Sequence, residues 1–283
     1  MNLMDCFGTV PPEQDFIIPG FMAGTPGGLV APGSTGKSFF ALQVAAAVAS
    51  DCPQANTLGL QIVKHGKVIY LNLEDPPAEI HRRLYALGQR LDLVARQSIA
   101  DNLTLSARQG IHTDVLSTAF QTALRKAAGD RTRLIIIDTL SRCHTRDEND
   151  NGQMSEVVAA LELLCRQTGA GLMFLHHTSK AAALAGQGGM AQAARGASAL
   201  VDNARWCGNL SKMSEEEADG WTGMDGQPIG ADRRGYFVRY ALGKQNYGEL
   251  ESSQWFNRTA GGILAPVELR KVKKAGKGKG DWL

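Results

Sequence analysis

Residues Ala31-Pro32-Gly33-Ser34-Thr35-Gly36-Lys37-Ser38 gather two glycines, a lysine and three hydroxyls between a short apolar strand and a run of small apolar residues. That composition suits a phosphate chain. Gly33 and Gly36 let the backbone curl so that successive N–H groups face one anion, with Pro32, Ser34 and Thr35 completing the cradle. The N-terminus of the helix that follows adds its partial positive charge. Lys37 is placed to reach the β- and γ-phosphates of ATP, and the Ser38 hydroxyl to ligate Mg²⁺. Ala31 replaces glycine at the first position of the motif, the one that tolerates change best.

Three further sites carry acids or histidines at strand ends. Asp138 closes the run Leu134-Ile135-Ile136-Ile137. A carboxylate there points into the crevice where open α/β sheets bind ligands, and it can hold Mg²⁺ through water. Glu74 follows the apolar strand ending at Leu73, where it can polarise a water attacking the γ-phosphate. Asp75 beside it is expected to cap the next helix. His176 and His177 end another strand. Adjacent strand residues face opposite ways, so the two are poor partners for one metal, but either can touch a γ-phosphate.

The elements that must position these groups alternate along the chain. Strands are expected at 28–31, 67–73, 103–105, 134–137 and 171–175. Helices are expected at 37–50, after Asp75, at 115–128 and at 154–169. Apolar strands between amphipathic helices predict an α/β fold with a mostly parallel twisted sheet covered on both faces. After about Leu200 short strands and Gly-rich turns predict an antiparallel extension on one sheet edge. Residues 1–20 read as an arm, either a strand on the same core or a segment docking on a neighbouring subunit. Residues 21–268 form the core, and 269–283 a basic disordered tail. Two loops follow strands entering the crevice: Arg142 to Gln153, polar and charged, and Ser179 to Gly196, rich in Gly, Ala and Gln. Both are placed to grip a polymer.

A net charge of +2 rules out bulk basicity as the route to nucleic acid, so any basic footprint must be local. Five scattered cysteines without a Cys-x-x-Cys pair argue against a disulfide framework or zinc site and for a reducing cytoplasm. No apolar run is long enough to span a bilayer, and the start of the chain lacks the pattern of a signal peptide.

Taken together, Val30 to Ser38, Tyr70 to Pro77, Asp138-Thr139-Leu140-Ser141-Arg142, Phe174 to Lys180, Arg195 to Trp206 and Lys244-Gln245-Asn246-Tyr247-Gly248 resemble the RecA/DnaB superfamily of ring ATPases. Within it the chain is similar to the RepA-type hexameric replicative helicases of IncQ-like broad-host-range plasmids, from about residue 15 to 270. The resemblance implies a RecA-like core and a homohexamer that unwinds DNA, moving 5′ to 3′ on a single strand held by the two loops. A plasmid initiator or a primase would be a further partner. By residue, it implies that Glu74 is the catalytic glutamate and His177 the γ-phosphate sensor. Arg83 would lie near the base or ribose. Arg205 would be an arginine finger delivered into the neighbour's site, and Lys244 would match the nucleotide-binding lysine of a DnaB-like Lys-Gln-Arg segment. Asn246 stands where DnaB-like proteins carry arginine, which shifts the trans-acting duty onto Arg205. Two other readings stay open: a RecA-fold recombination or regulatory ATPase that binds DNA without unwinding it, and an ATP-gated partition scaffold. The second usually carries a lysine early in the phosphate loop, and Ala31-Pro32-Gly33 has none.

Overall fold

The computed structural model describes residues 2–178, 200, 203–224, 226–246 and 253–272. Helix α1 (Leu3–Gly8) precedes a hairpin of β1 (Phe16–Ile18) and β2 (Phe21–Met22). The core then runs β3 (Pro26–Ala31), α2 (Lys37–Ala49), β4 (Lys67–Asn72), α3 (Pro77–Gly88), α4 (Leu93–Asn102), β5 (Leu103–Ala107), α5 (Thr118–Ala128), β6 (Thr132–Asp138), α6 (Asn151–Thr168) and β7 (Gly171–His177). Strand β8 (Trp206–Lys212) is followed by a small lobe of α7 (Glu215–Gly220), β9 (Trp221–Thr222) and α8 (Gly230–Arg233). The described chain ends with β10 (Phe237–Gln245), β11 (Ser253–Arg258), β12 (Leu264–Val267) and β13 (Arg270–Lys271).

Nine strands form one sheet in the order β12-β11-β10-β8-β3-β7-β6-β4-β5. From β8 to β5 every pairing is parallel, and from β10 outward every pairing is antiparallel. The antiparallel extension therefore starts one strand later than expected: β8 pairs in parallel with β3, setting Gly27 opposite Trp206.

The apolar runs are explained by burial on both faces. Leu134 and Ile136 pack with α2 and α4 on one side, and Ile135 and Ile137 with α5 and α6 on the other. Each such side chain contributes roughly 1.5–3 kcal/mol on leaving water. A charge at any of the four would be buried without a partner. Helix α2 is apolar on nearly all sides and is buried from Phe40 to Ala49, which fixes the phosphate loop ahead of it.

The arm divides in two. Ile17, Ile18 and Phe21 are buried in the core, and Phe21 stacks on Trp206 with ring centroids 4.8 Å apart. A Cβ at Gly27 would lie 2.8 Å from Trp206 and 2.9 Å from Phe21, so only glycine lets the two rings meet across β3. Asp15 anchors the entry, held by Arg133 at 2.6 Å and by Lys64 at 2.7 Å. Leu3, Met4, Phe7 and Val10 are exposed, and residues 3–8 form a short helix.

Other expectations need correction. Helix α5 starts at Thr118, not Val115, and α6 at Asn151, where the Asp150 carboxylate accepts from Gly152 and Gln153. Helix α4 lies outside the expected elements: its apolar residues are few, and its strongest local signal is the Asp92 cap on Ala95. Of the short strands expected after about Leu200, the first among the described residues begins at Trp206, and Gly262 closes a 3₁₀ turn before β12. Arg270 and Lys271, assigned to the tail, instead pair with Thr222 and Trp221. The loop Ser179 to Gly196 and residues 273–283 lie outside the described residues. Among the described residues, no helix is long and apolar enough to cross a membrane.

Candidate active site

The parallel register brings the strand ends to one edge. Ala31 lies opposite His177, and Asn72 opposite Asp138. The phosphate loop rises from this edge. Gly36 adopts φ +104° and Ser34 φ +58°, left-handed conformations that turn the loop back on itself. The Thr35 hydroxyl donates to the Pro32 carbonyl at 2.8 Å and closes the turn.

Lys37 is folded into this cradle, only 6% exposed. Its Nζ donates to the Ala31 carbonyl at 2.9 Å and lies 2.9 Å from His177 Nδ1. Burial pulls its pKa down from 10.5 to about 8, against the opposing pull of Asp138 and Glu74. An ammonium only donates, so Nδ1 must accept and the neutral ring carries its proton on Nε2. That nitrogen sits 3.7 Å from Glu74 Oε2. Lys37, His177 and Glu74 thus form a chain along the mouth of the cradle. Either histidine could have played this part from sequence, and the strand's alternation selects His177. His176 is buried on the opposite face, 4.0 Å from Glu148, with Nδ1 lacking a hydrogen bond. Burial lowers its pKa, so it is neutral at pH 7.

Beside the lysine, Ser38 Oγ donates to Asp138 Oδ1 at 3.2 Å. Tyr70 donates to Asp138 Oδ2 at 2.7 Å. Asp138 is 1% exposed, and burial raises its pKa against the pull of those two donors. A buried carboxylate next to a hydroxyl is a hard-oxygen pair suited to Mg²⁺, which keeps several waters and needs few protein ligands.

The expected role of Asp75 is wrong. Helix α3 is capped at Pro76 with no side-chain cap bond. Asp75 instead pairs with Arg83 at 2.8 Å, and Arg83 also reaches Glu79 at 3.3 Å. The Asp75 N–H is taken by Asn72 Oδ1 at 2.9 Å. Arg83 therefore braces the turn that carries Glu74 and lines a small cavity of about 10 Å³ with Ser38, Tyr70 and Asn72.

Arg205 and Lys244 are not part of this assembly. Both lie at the other edge, where Trp206 pairs with Gly27 and Lys244 with Cys207. Gly27 and Ala31 lie four residue steps apart on β3, about 13 Å at a strand's rise, before the loop begins. Arg205 is exposed, with no acidic partner among the described residues, and its carbonyl accepts from Asn246 at 3.1 Å.

A family model described as an AAA domain (AAA_25) matches residues 2–183, well over half of the chain. The chain belongs to that family. Its phosphate loop, Glu74, Asp138 and His177 all fall inside the matched segment, whereas Arg205 and Lys244 fall outside it. Solved structures share the fold at low identity. One is described as a DnaB-like replicative helicase and its interactions with primase: TM-score 0.62, 15% identity, covering 94% of this chain and 65% of that one. Another, described as an ATPase domain, matches with TM-score 0.59 and 14% identity, over 94% of this chain and 96% of that one. The RadB recombinase matches with TM-score 0.55 and 14% identity, over 88% and 93%. The protein is thus an AAA-type P-loop ATPase with a RecA-like fold.

Two site residues escaped the sequence. Tyr70 carries its hydroxyl on an apolar strand, indistinguishable there from a core aromatic. Arg258 donates to the Thr35 carbonyl at 2.6 Å across a separation of 223 residues. A larger cavity, about 560 Å³, lies elsewhere, between Leu71, Arg108 and Phe120, and holds none of the phosphate-loop residues.

Proposed function

We propose that the chain is one subunit of a homohexameric DNA helicase that hydrolyses ATP with Mg²⁺ and translocates on single-stranded DNA, 5′ to 3′, in cytoplasmic plasmid replication. One observation carries the reading. Arg205 stands exposed and without an acidic partner among the described residues, at the sheet edge opposite its own phosphate loop. A guanidinium so placed can complete a nucleotide site only in a neighbour. There it would stabilise charge on the transferring phosphoryl, an effect worth about 10³–10⁵ in rate. Lys244, at the same edge, would accompany it.

Within one subunit the roles divide by position. The loop from Pro32 to Gly36 and Lys37 hold the phosphates, and Ser38 and Asp138 hold the metal. Glu74 orients water, and His177, linking Lys37 to Glu74, reports whether a γ-phosphate is present. The loop between Arg142 and Gln153, together with Ser179 to Gly196, would grip the DNA backbone without reading bases. The exposed Leu3, Met4, Phe7 and Val10 suit docking on the adjacent subunit. The likeness to a DnaB-like replicative helicase supports this reading, and the primase described with that protein suggests a further partner. The likeness to a recombinase favours the alternative, an ATPase that coats DNA without separating strands.

Strand displacement on a forked duplex, read beside mass measurement in native buffer with an ATP analogue, tests the proposal. Displacement by a six-subunit species is expected. DNA-stimulated ATPase activity without displacement would move the reading to the recombinase-like alternative. A monomer indifferent to DNA would end both.

A further inference from the structure

The phosphate loop is gripped from behind by a residue distant in sequence. Arg258, the last residue of β11, donates from Nη2 to the carbonyls of Thr35 at 2.6 Å and Ser34 at 3.4 Å. It reaches the loop at Gly36, where a Cβ would lie 3.1 Å from the same nitrogen. Peptide units are planar and trans, so a carbonyl and the N–H of the next residue point in opposite directions. Fixing the Ser34 and Thr35 carbonyls toward Arg258 therefore aims the Thr35 and Gly36 N–H groups the other way, into the cradle. A cation on the oxygen side also polarises each peptide, making its N–H a stronger donor. The contact further supports Ser34 in its left-handed conformation at φ +58°, one that a residue with a Cβ adopts at a cost.

The mount is rigid. Strand β11 pairs with β12. Fully buried Gln43 of α2 clamps β12, donating to the Leu264 carbonyl at 2.8 Å and accepting from the Leu264 N–H at 3.0 Å. Helix α2 is the one that the phosphate loop enters, so Arg258 is held in fixed relation to the loop it grips.

We infer that Arg258 is a positioning residue for nucleotide binding: it preorients the backbone donors of the phosphate loop before the nucleotide arrives. The inference rests on the phosphate loop's binding of nucleotide. It predicts loss of affinity for ADP and ATP alike, because the aligned N–H groups meet phosphates present in both. Turnover of bound ATP should be spared, since the guanidinium faces away from the reacting atoms.

The test compares wild type, Arg258→Ala and Arg258→Lys as full chains. In Arg258→Ala the dissociation constants of ADP and a non-hydrolysable ATP analogue should rise about tenfold, as for loss of a hydrogen bond to a charged group. KM should rise in step, while kcat stays within about twofold. Amide exchange in the peptide covering residues 31–40 should speed up in the nucleotide-free variant, and Arg258→Lys should recover part of the affinity. Unchanged affinity and exchange would overturn the inference, as would a fall in kcat at constant KM. If Arg258→Ala does not fold, Arg258→Lys is judged by the same criteria, with a smaller rise expected. Failure of the wild type to bind nucleotide would instead refute the underlying phosphate-loop reading.

Discussion

Replacing the phosphate-loop lysine should make the nucleotide-free protein more stable. Lys37 is held in a site that lowers its pKa from 10.5 to about 8, chiefly through burial. Each pKa unit is worth about 1.36 kcal/mol, so keeping the ammonium charged costs about 3 kcal/mol of folding stability at pH 7. Below pH 8 both folded and unfolded chains hold the proton and the cost is felt in full. Between 8 and 10.5 the unfolded chain binds more protons, so stability rises with pH and the cost fades. Lys37→Met removes the charge and keeps similar volume. The Ala31 carbonyl retains a donor in the Thr178 N–H at 3.1 Å, and His177 is exposed enough to find water. After about 1 kcal/mol for the lost lysine hydrogen bonds, the variant should gain about 2 kcal/mol at pH 7. That corresponds to a melting temperature higher by about 4–8 °C for a domain of this size. Urea melts at pH 7 and pH 10 check it: the gap should close at the higher pH, while ATP turnover is lost at both. Saturating ATP with Mg²⁺ should narrow or reverse the order, because only the wild type has a lysine to bind the phosphates. A variant less stable at pH 7, or a gap indifferent to pH, would refute the buried-charge account.

Glu74→Gln should bind nucleotide with near-normal affinity and hydrolyse it at least about a hundredfold more slowly in single-turnover assays, as expected for loss of a general base; loss of binding would make Glu74 structural. Arg205→Ala should bind nucleotide yet lose turnover, and mixing it with Glu74→Gln should restore part of the activity, because mixed assemblies contain interfaces with both halves intact. No recovery despite demonstrated subunit exchange would count against a trans role. Tyr70→Phe leaves a buried Asp138 oxygen without its donor. Stability should drop by about 1–3 kcal/mol in urea. The Tyr70 hydrogen bond holds the Asp138 pKa down against burial, so the acid limb of Mg²⁺-dependent turnover should move to higher pH, and an unmoved limb would separate Asp138 from the metal.

Much of the site was legible because its parts lie at strand ends, where local pattern and chemistry coincide. The spacing from Gly33 to Ser38 announces a phosphate cradle, and Glu74, Asp138 and His177 each close an apolar run that can be read as a strand. What escaped depends on contacts remote in the chain. Asp75 looks like a helix cap until Arg83 is seen to hold it. Arg258 gives no local sign of reaching Thr35, since nothing in a strand's alternation says what lies beyond its end. The capping box of Ser214 and Glu217 has a local signature, yet it is submerged among Gly-rich turns. The parallel alignment of β8 could not be inferred, because its hydrophobic pattern is the same in either direction.

The sheet has a polarity that constrains assembly. The cradle opens at one edge and Arg205 stands at the other, so if the arginine acts in trans, every subunit carries a socket and a plug on opposite sides. A two-fold dimer, which sets one patch against its own copy, does not engage that pair. Head-to-tail contact does, and such contact propagates. A rotation that divides the circle, with no rise along the axis, closes a ring; any rise leaves an open helix. One seam can therefore build either a ring that encircles a strand or a filament that coats it, and the tilt between neighbours, more than the residues around the phosphates, selects which.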